Sequence, residues 1–311
     1  MERVMYAMAS MDITQLDPTL TKGDESRFVN TALSATLRKS HPQYMGGMVG
    51  HQFEDVYPAA AKLAYAIGPN PSLPWDLVHP EEYHGPSGFW KLLEENSASE
   101  EQFGMAMVGV EGLGGGAMSL DGPFAKFDRL VDIGGSNGHF LYRNLKNYPD
   151  KKGVLFDRPP VIDNAQKHWT AKGGQYNDEE TNNRVEMIKG DFFDADTLPE
   201  CHDGDVLYLR YILHDWKKDD CIKILTNIRK AMKNKKATLV IGECAIPERD
   251  SVGLSTMHKI DIIMMNIFGD AMERTPTMWK ELLNETGFDL VEIHPTRSLA
   301  HFVEAVPRSD E

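Results

Sequence analysis

Residues 130–138, Leu130-Val131-Asp132-Ile133-Gly134-Gly135-Ser136-Asn137-Gly138, read as a short apolar strand that runs into a glycine-rich turn and opens a helix. Glycines there let the backbone bend sharply and let a ligand approach the chain closely. The same grammar repeats downstream. Apolar runs at 153–157, 185–189, 205–209 and 238–241 predict four more strands, and 138–147 and 160–171 carry helical patterns. A further helix opens at Asp219 and Asp220, aligns Cys221, Ile224, Leu225, Ile228 and Met232 on one face, and ends among Lys230, Lys233, Lys235 and Lys236, as a helix dipole favours. Thr275-Pro276 begins another helix that stops at Gly287. Two last strands, 288–293 and 300–306, are joined by a short connection and should pair antiparallel. Strands alternating with helices imply an α/β fold with a mostly parallel sheet covered on both faces.

Upstream of this stretch the pattern is helical. Residues 87–110 read as helix, broken by Gly112 to Gly116, and 68–86 are rich in Pro and Gly and read as irregular. Phe53, Val56, Ala60, Leu63 and Ile67 predict one helix from His51 to Ile67. A loop is expected at Ser40, His41, Pro42 and the Gly46-Gly47 pair. Residues 1–45 carry short helical patterns interrupted by Thr21, Lys22, Gly23, Asp24 and Glu25, a turn or the wing of a hairpin. The expected division is 1–45 as a partial winged-helix segment and 46–311 as the main domain.

A chain of 311 residues, 41% hydrophobic, can bury one large core. Its 33 Lys and Arg against 47 Asp and Glu leave a formal charge of −14, the wrong sign for neutralising phosphates, so nucleic acid is not an expected partner. No apolar run approaches the roughly 18 residues of a membrane span, and the first residues lack a signal peptide's apolar stretch. Cys201, Cys221 and Cys244 lie far apart and suggest neither a disulfide framework nor a CxxC site. The expectation is a soluble, cytoplasmic protein.

The turn after the first strand is Asp132-x-Gly134-x-Ser136-x-Gly138, and Gly134-x-Ser136-x-x-His139 breaks the dinucleotide spacing GxGxxG. A carboxylate two residues before the first glycine would welcome an ammonium group and repel a pyrophosphate. Asp157 closes the second strand, where an acid can accept both ribose hydroxyls of an adenosine. Asp191 follows the third strand and could meet an adenine amine. The plain alternative is a tight glycine turn with solvated acids, and the placement of Asp157 weighs against it.

His214-Asp215-Trp216 follows the fourth strand at the sheet edge where ligands sit in open α/β folds. A phenol has a pKa of about 10, so little is ionised near neutrality. A neutral imidazole within hydrogen-bond reach can take its proton. A lone histidine at a strand end is more often structural. Two carboxylates alter that balance: Glu243 ends the fifth strand, and Glu273 lies in Met272-Glu273-Arg274-Thr275. Asp261, in an otherwise apolar helix, is either a buried, hydrogen-bonded acid or a solvent-facing one, with a structural role favoured. His139, His168, His258 and His301 show no metal-ligand spacing, and no metal site is expected.

LVDIGGSNG (130–138), VLFDRP (154–159), KGDFF (189–193), YILHDW (211–216), GECAIP (242–247) and MERT (272–275) resemble, in order and near spacing, the S-adenosylmethionine-dependent O-methyltransferases of the caffeate/hydroxyindole type. The resemblance runs from about residue 46 to the end. It implies a Rossmann-like, seven-stranded class I methyltransferase sheet with an antiparallel C-terminal hairpin, and S-adenosyl-L-methionine as cofactor. By it, Gly134 lines the methionine part of the cofactor, in one loop with Asp132, Gly135 and Gly138. Asp157 binds the ribose beside Arg158, Asp191 and Phe192 flank the adenine, and Arg210 replaces a lysine common in plant members. His214 becomes the general base, flanked by Glu243 and Glu273.

For the acceptor the resemblance implies a pocket using Met107, Asp215, Met264 and Phe268, with Phe268 and Val110 making it more apolar than in plant phenylpropanoid enzymes. Sixteen methionines suit flat rings, although ordinary core packing is the better explanation of any single one. The implied partner is a small hydroxylated aromatic molecule. Family members usually carry further N-terminal helices that interlock two subunits; this chain begins inside the winged segment, so a homodimer is expected in altered or weakened form. Two rivals are a non-methylating enzyme on the same scaffold (pericyclase-like) and a cofactor-binding protein inactive through loss of those helices. A nicotinamide-dependent dehydrogenase lacks the right glycine spacing.

Overall fold

In the computed structural model, residues 1–20, 25–41, 44–113, 116–172, 174, 176–248 and 257–309 are described. The chain opens with α1 (Glu2–Ser10) and a two-stranded antiparallel hairpin, β1 (Thr14–Leu16) on β2 (Phe28–Asn30). The expected polar turn lies between these strands, and its residues 21–24 fall outside the described set, as does Pro42. The short helix α2 (Ala32–Ala35) follows, with Thr31 and Ser34 exchanging side-chain-to-backbone bonds as a capping box.

The next segment departs from expectation. Gly46 and Gly47 do not form a loop; they begin helix α3 (Gly46–His51). The reason is close packing, since a Cβ on Gly47 would stand 2.7 Å from the backbone carbon of Met105. Nor is 51–67 one uninterrupted helix. A π turn at Gln52–Val56 leads into α4 (Tyr57–Ala60), and a break at 61–62 precedes α5 (Leu63–Ala66). Pro58 brings no N–H to the carbonyl of Glu54, which disturbs regular α bonding there. The predicted helix 87–110 is two helices, α6 (Gly88–Glu95) and α7 (Ser97–Leu113). Asn96 divides them, its Oδ1 accepting from the N–H groups of Ala98 and Ser99. Residues 114–115, within the expected glycine break, lie outside the described set. Helix α8 (Ala117–Asp121) completes this cap.

The remainder is the predicted alternation: β3 (Arg129–Ile133), α9 (His139–Asn147), β4 (Lys152–Asp157), α10 (Pro159–Thr170), α11 (Glu179–Asn182), β5 (Val185–Lys189), β6 (Asp205–Arg210), α12 (Lys218–Ala231), β7 (Thr238–Glu243), α13 (Met257–Phe268), α14 (Pro276–Glu285), β8 (Phe288–His294) and β9 (His301–Pro307). The strand order is β5-β4-β3-β6-β7-β9-β8. β3 to β7 run parallel; β9 and β8 are antiparallel, as the short connection between them requires. The inner strands are buried on both faces, so their sequences are continuous apolar runs.

One face packs on α12 and α14 through Ile224, Ile228, Trp279 and Leu283, the other on α9 and α10 through Phe140, Leu141 and Ile162. A third apolar cluster, with Trp75, Phe89, Leu93, Ile267 and Phe268, joins α6 to α13. Because β3 lies between β4 and β6, its C-terminal end opens a crevice at the point where the strand order reverses. No helix among the described residues is long and apolar enough to cross a membrane.

Candidate active site

A cavity lies over that crevice. The glycine loop (Asp132, Gly134, Gly135, Ser136) forms one side, and Asp157 and Arg158 follow from the end of β4. Asp191 and Phe192 line it beyond the end of β5 and Arg210 at the end of β6, on the other side of β3, while Trp90, Phe103 and Met107 of the helical cap form the roof. Asp215 and Trp216 stand where β6 gives way to α12.

The loop's conformation explains its residues. Gly134 has φ +73° and donates its N–H to the carbonyl of Phe156 at 2.8 Å, tying the turn to β4. A Cβ there would stand 2.5 Å from Ile212 Cδ1, so only glycine keeps this surface clear. The Ser136 N–H donates to Asp157 Oδ2 at 2.8 Å and the Arg158 N–H to Asp157 Oδ1 at 2.7 Å. Burial pushes the Asp157 carboxyl up from its ordinary range, against the pull of those bonds and of the Arg158 charge. Gly138 behaves differently. With φ +77° it lies under Trp169 and Leu155 and does not line the cavity; it shapes the helix start.

Arg210 reaches into the same cavity and donates to His139 Nε2. Burial first, then the Arg210 and Arg143 charges, holds the His139 imidazole well below its usual range, so it is neutral and able to accept. Arg158 bonds Glu94 Oε1 of α6 at 3.0 Å and Glu100 Oε2 of α7 at 3.5 Å. These two glutamates line the cavity, and neither stands out in the sequence.

His214 sits in a 3₁₀ turn, Leu213–Asp215, directly beyond β6. Its Nδ1 pairs with Glu273 Oε1 at 2.7 Å, and Glu273 is 1% exposed. Glu243 acts on the turn and not on the ring: its Oε1 accepts the N–H groups of Ile212 (3.0 Å), Leu213 (2.5 Å) and His214 (3.3 Å). The Glu273 backbone N–H donates to Asp261 Oδ1 at 2.8 Å, which gives the acid in α13 its structural role. The other ring nitrogen, Nε2, lies 3.4 Å from Asp215 Oδ1. Burial opposes protonation of His214, but the charges of Asp215, Glu273 and Glu243 outweigh it and push the imidazole up to about 10. Burial also pushes the Asp215 carboxyl up to about 7, although the His214 charge pulls it down. Among the described residues His214, Glu243 and Glu273 are also close enough to share an ion, their ligand atoms lying within 4.8 Å of one another.

The expected acceptor residues divide. Met107 and Asp215 line the cavity, whereas Met264 and Phe268 lie in the apolar cluster behind it, 8% and 4% exposed. Between them stands Trp90, nearly parallel to both Trp216 (centroids 6.0 Å, planes 12° apart) and Phe268 (5.8 Å, 17°). Sequence reading passes over Trp90 and Phe103 because aromatic residues at helical spacing look like core.

Comparison with known proteins adds an independent line. Residues 76–289 match the family model of the O-methyltransferase domain. O-methyltransferase gedA of Aspergillus terreus is 33% identical over 224 residues, covering 66% of this chain and 45% of that protein. The mitomycin biosynthesis 6-O-methyltransferase of Streptomyces lavendulae is 33% identical over 201 residues, covering 65% and 53%. The chain thus spans about half the length of these curated relatives. Among solved structures, LaPhzM superposes with a TM-score of 0.83 at 28% identity, over 98% of this chain and 84% of that one.

Proposed function

The chain belongs to the O-methyltransferase domain family, and from that premise we propose that it transfers a methyl group from S-adenosylmethionine to a hydroxyl of a small aromatic molecule, with His214 as the general base. The observation that carries this reading is the orientation of one ring: Nδ1 is held by a sealed carboxylate, and Nε2 lies on the side of Asp215, which lines the cavity. A base so aligned is worth about 10²–10⁴ in rate.

The residues present fit the cofactor. The glycine turn that a Cβ would fill, the acid at the end of β4 and the aromatic wall of Phe192 and Trp216 suit an adenosine whose amino-acid part lies toward Asp132, Gly134, Gly135 and Arg210. When bound, it supplies an electrophilic sulfonium methyl. Asp157 takes the ribose and Asp191 with Phe192 the adenine. Met107 and the roof face the acceptor, and water is kept out by the burial of the turn at 213–215. The names of gedA and the mitomycin biosynthesis enzyme specify oxygen as the methylated atom and support the hydroxyl as acceptor, while another relative, of Streptomyces davaonensis, is named as an N,N-dimethyltransferase.

A second copy of the chain is the proposed partner for the cap, where Phe53, Tyr57, Tyr65 and Ile67 are exposed. Light scattering at micromolar concentration distinguishes a dimer from a monomer.

The test of the activity is His214→Ala against a panel of phenols with labelled S-adenosylmethionine. Turnover should fall at least about a hundredfold while S-adenosylhomocysteine affinity stays nearly constant. Equal turnover would remove the base assignment.

A further inference from the structure

The imidazole of His214 is enclosed by more negative charge than its chemistry needs. Asp215 stands on its own turn, Glu243 at the end of β7, and Glu273 in the loop before α14. The Glu273 N–H is held by Asp261 of α13. Arg274, next to Glu273, is occupied by the Leu213 carbonyl at 2.9 Å and by Cys221 at 3.1 Å. Cys221 and Cys244 are buried thiols pushed up by burial, hence neutral, and Tyr211 meets the ring at 5.6 Å between centroids. In this surrounding the resting imidazole holds its second proton, as its raised titration range also indicates.

An imidazolium cannot serve as a base, so something must discharge it. Its Nδ1 side is sealed, with Glu273 1% and Glu243 0% exposed. The proton can leave only from Nε2, where the facing protein group is Asp215, and Asp215 lines the cavity while His214 does not. Resting on the S-adenosylmethionine reading of that cavity, we propose that His214 and Asp215 form a proton-releasing pair that responds to donor charge. Binding a cationic sulfonium expels one proton by way of Asp215, and binding the neutral thioether product does not. The balance is simple: the Nε2–H bond breaks, the proton passes to the Asp215 carboxylate and then to buffer, and a neutral imidazole with a free Nε2 lone pair remains. The physical cause is like-charge repulsion between two cations in a site of low dielectric. The base is thereby armed only while a methyl group is available.

The experiment is isothermal titration of the full chain at pH 7, in buffers of different ionisation enthalpy, with S-adenosylmethionine and with S-adenosylhomocysteine. About one proton should be released per S-adenosylmethionine and about none per S-adenosylhomocysteine. S-adenosylmethionine affinity should rise by up to about tenfold per pH unit between pH 6 and 8, with S-adenosylhomocysteine flat. His214→Gln should abolish the difference. Should that variant not fold, Asp215→Asn, which removes the negative charge beside Nε2 and so loosens the imidazole's hold on its proton before any ligand binds, should reduce the release. Equal release for both ligands, no release with the donor, or full release in a folded His214→Gln protein overturns the proposal. Failure of both ligands to bind overturns the cofactor reading beneath it and the proposal with it, so the two failures are told apart.

Discussion

Glu273 holds Nδ1 of His214 at 2.7 Å from a position that water scarcely reaches. The carboxylate therefore fixes both the tautomer and the facing direction of the ring, and it stabilises the imidazolium once a proton has arrived. Glu273→Gln keeps the shape and loses the charge. Turnover should fall by about 10–100-fold, with KM for the acceptor little changed, in steady-state kinetics. A variant with full kcat would show that the pair is only structural.

Glu243 has a different task, because its Oε1 gathers three backbone N–H groups of the turn that carries the base. Removing it leaves buried donors unsatisfied. Glu243→Ala should lose about 3 kcal/mol of stability in urea unfolding, together with most of the activity. Unchanged stability would mean the turn does not depend on it.

Asp157 joins two loops by accepting from Ser136 and Arg158 while lining the cavity. Asp157→Ala should weaken S-adenosylhomocysteine binding at least about tenfold and shrink the ligand-induced rise in Tm. An unaltered Kd would reject its place beside the ribose.

The titrations of His214 and Asp215 carry a stability consequence with a definite sign. Both groups bind protons more tightly folded than unfolded, at about 10 and about 7. Their contribution is thus full below the unfolded values and is lost as pH rises through the folded ones. Unfolding free energy should decline between pH 7 and 10, and more steeply in the wild type than in His214→Gln. Parallel profiles would contradict the raised range of the imidazole.

Asn266 is 1% exposed in α13, and neither side-chain amide atom has a hydrogen-bond partner among the described residues. Burying such a group without compensation is costly. Asn266→Leu should raise stability by about 1 kcal/mol, seen as a higher Tm; a lower one would reveal a role for the amide.

Much of this arrangement is legible in the chain. The inner strands are readable because both of their faces are buried, so each appears as an apolar run ending in a turn. Asp132, Gly134 and Asp157 announce themselves by position, and Glu243 and Glu273 by their place in matching motifs. What remains hidden depends on tertiary contact. Gly46 and Gly47 look like a turn but begin a helix, Gly47 letting it touch the helix that carries Met105, and Trp90 looks like core but roofs the cavity. The pairing of Arg158 with Glu94 and Glu100 spans about 60 residues, a distance over which no local pattern operates.

That pairing has a consequence for handling the protein. Arg158 fastens two helices of the cap to the rim beside Asp157, and the fastening is ionic and partly open to solvent. Salt weakens such solvent-exposed pairs progressively, the screening length falling from about 10 Å at 0.1 M to about 3 Å at 1 M. The tightness of the mouth, and with it the speed at which small molecules come and go, should therefore follow the ionic strength of the buffer, so preparations compared at different salt will differ in exchange rate even when their chemistry is the same.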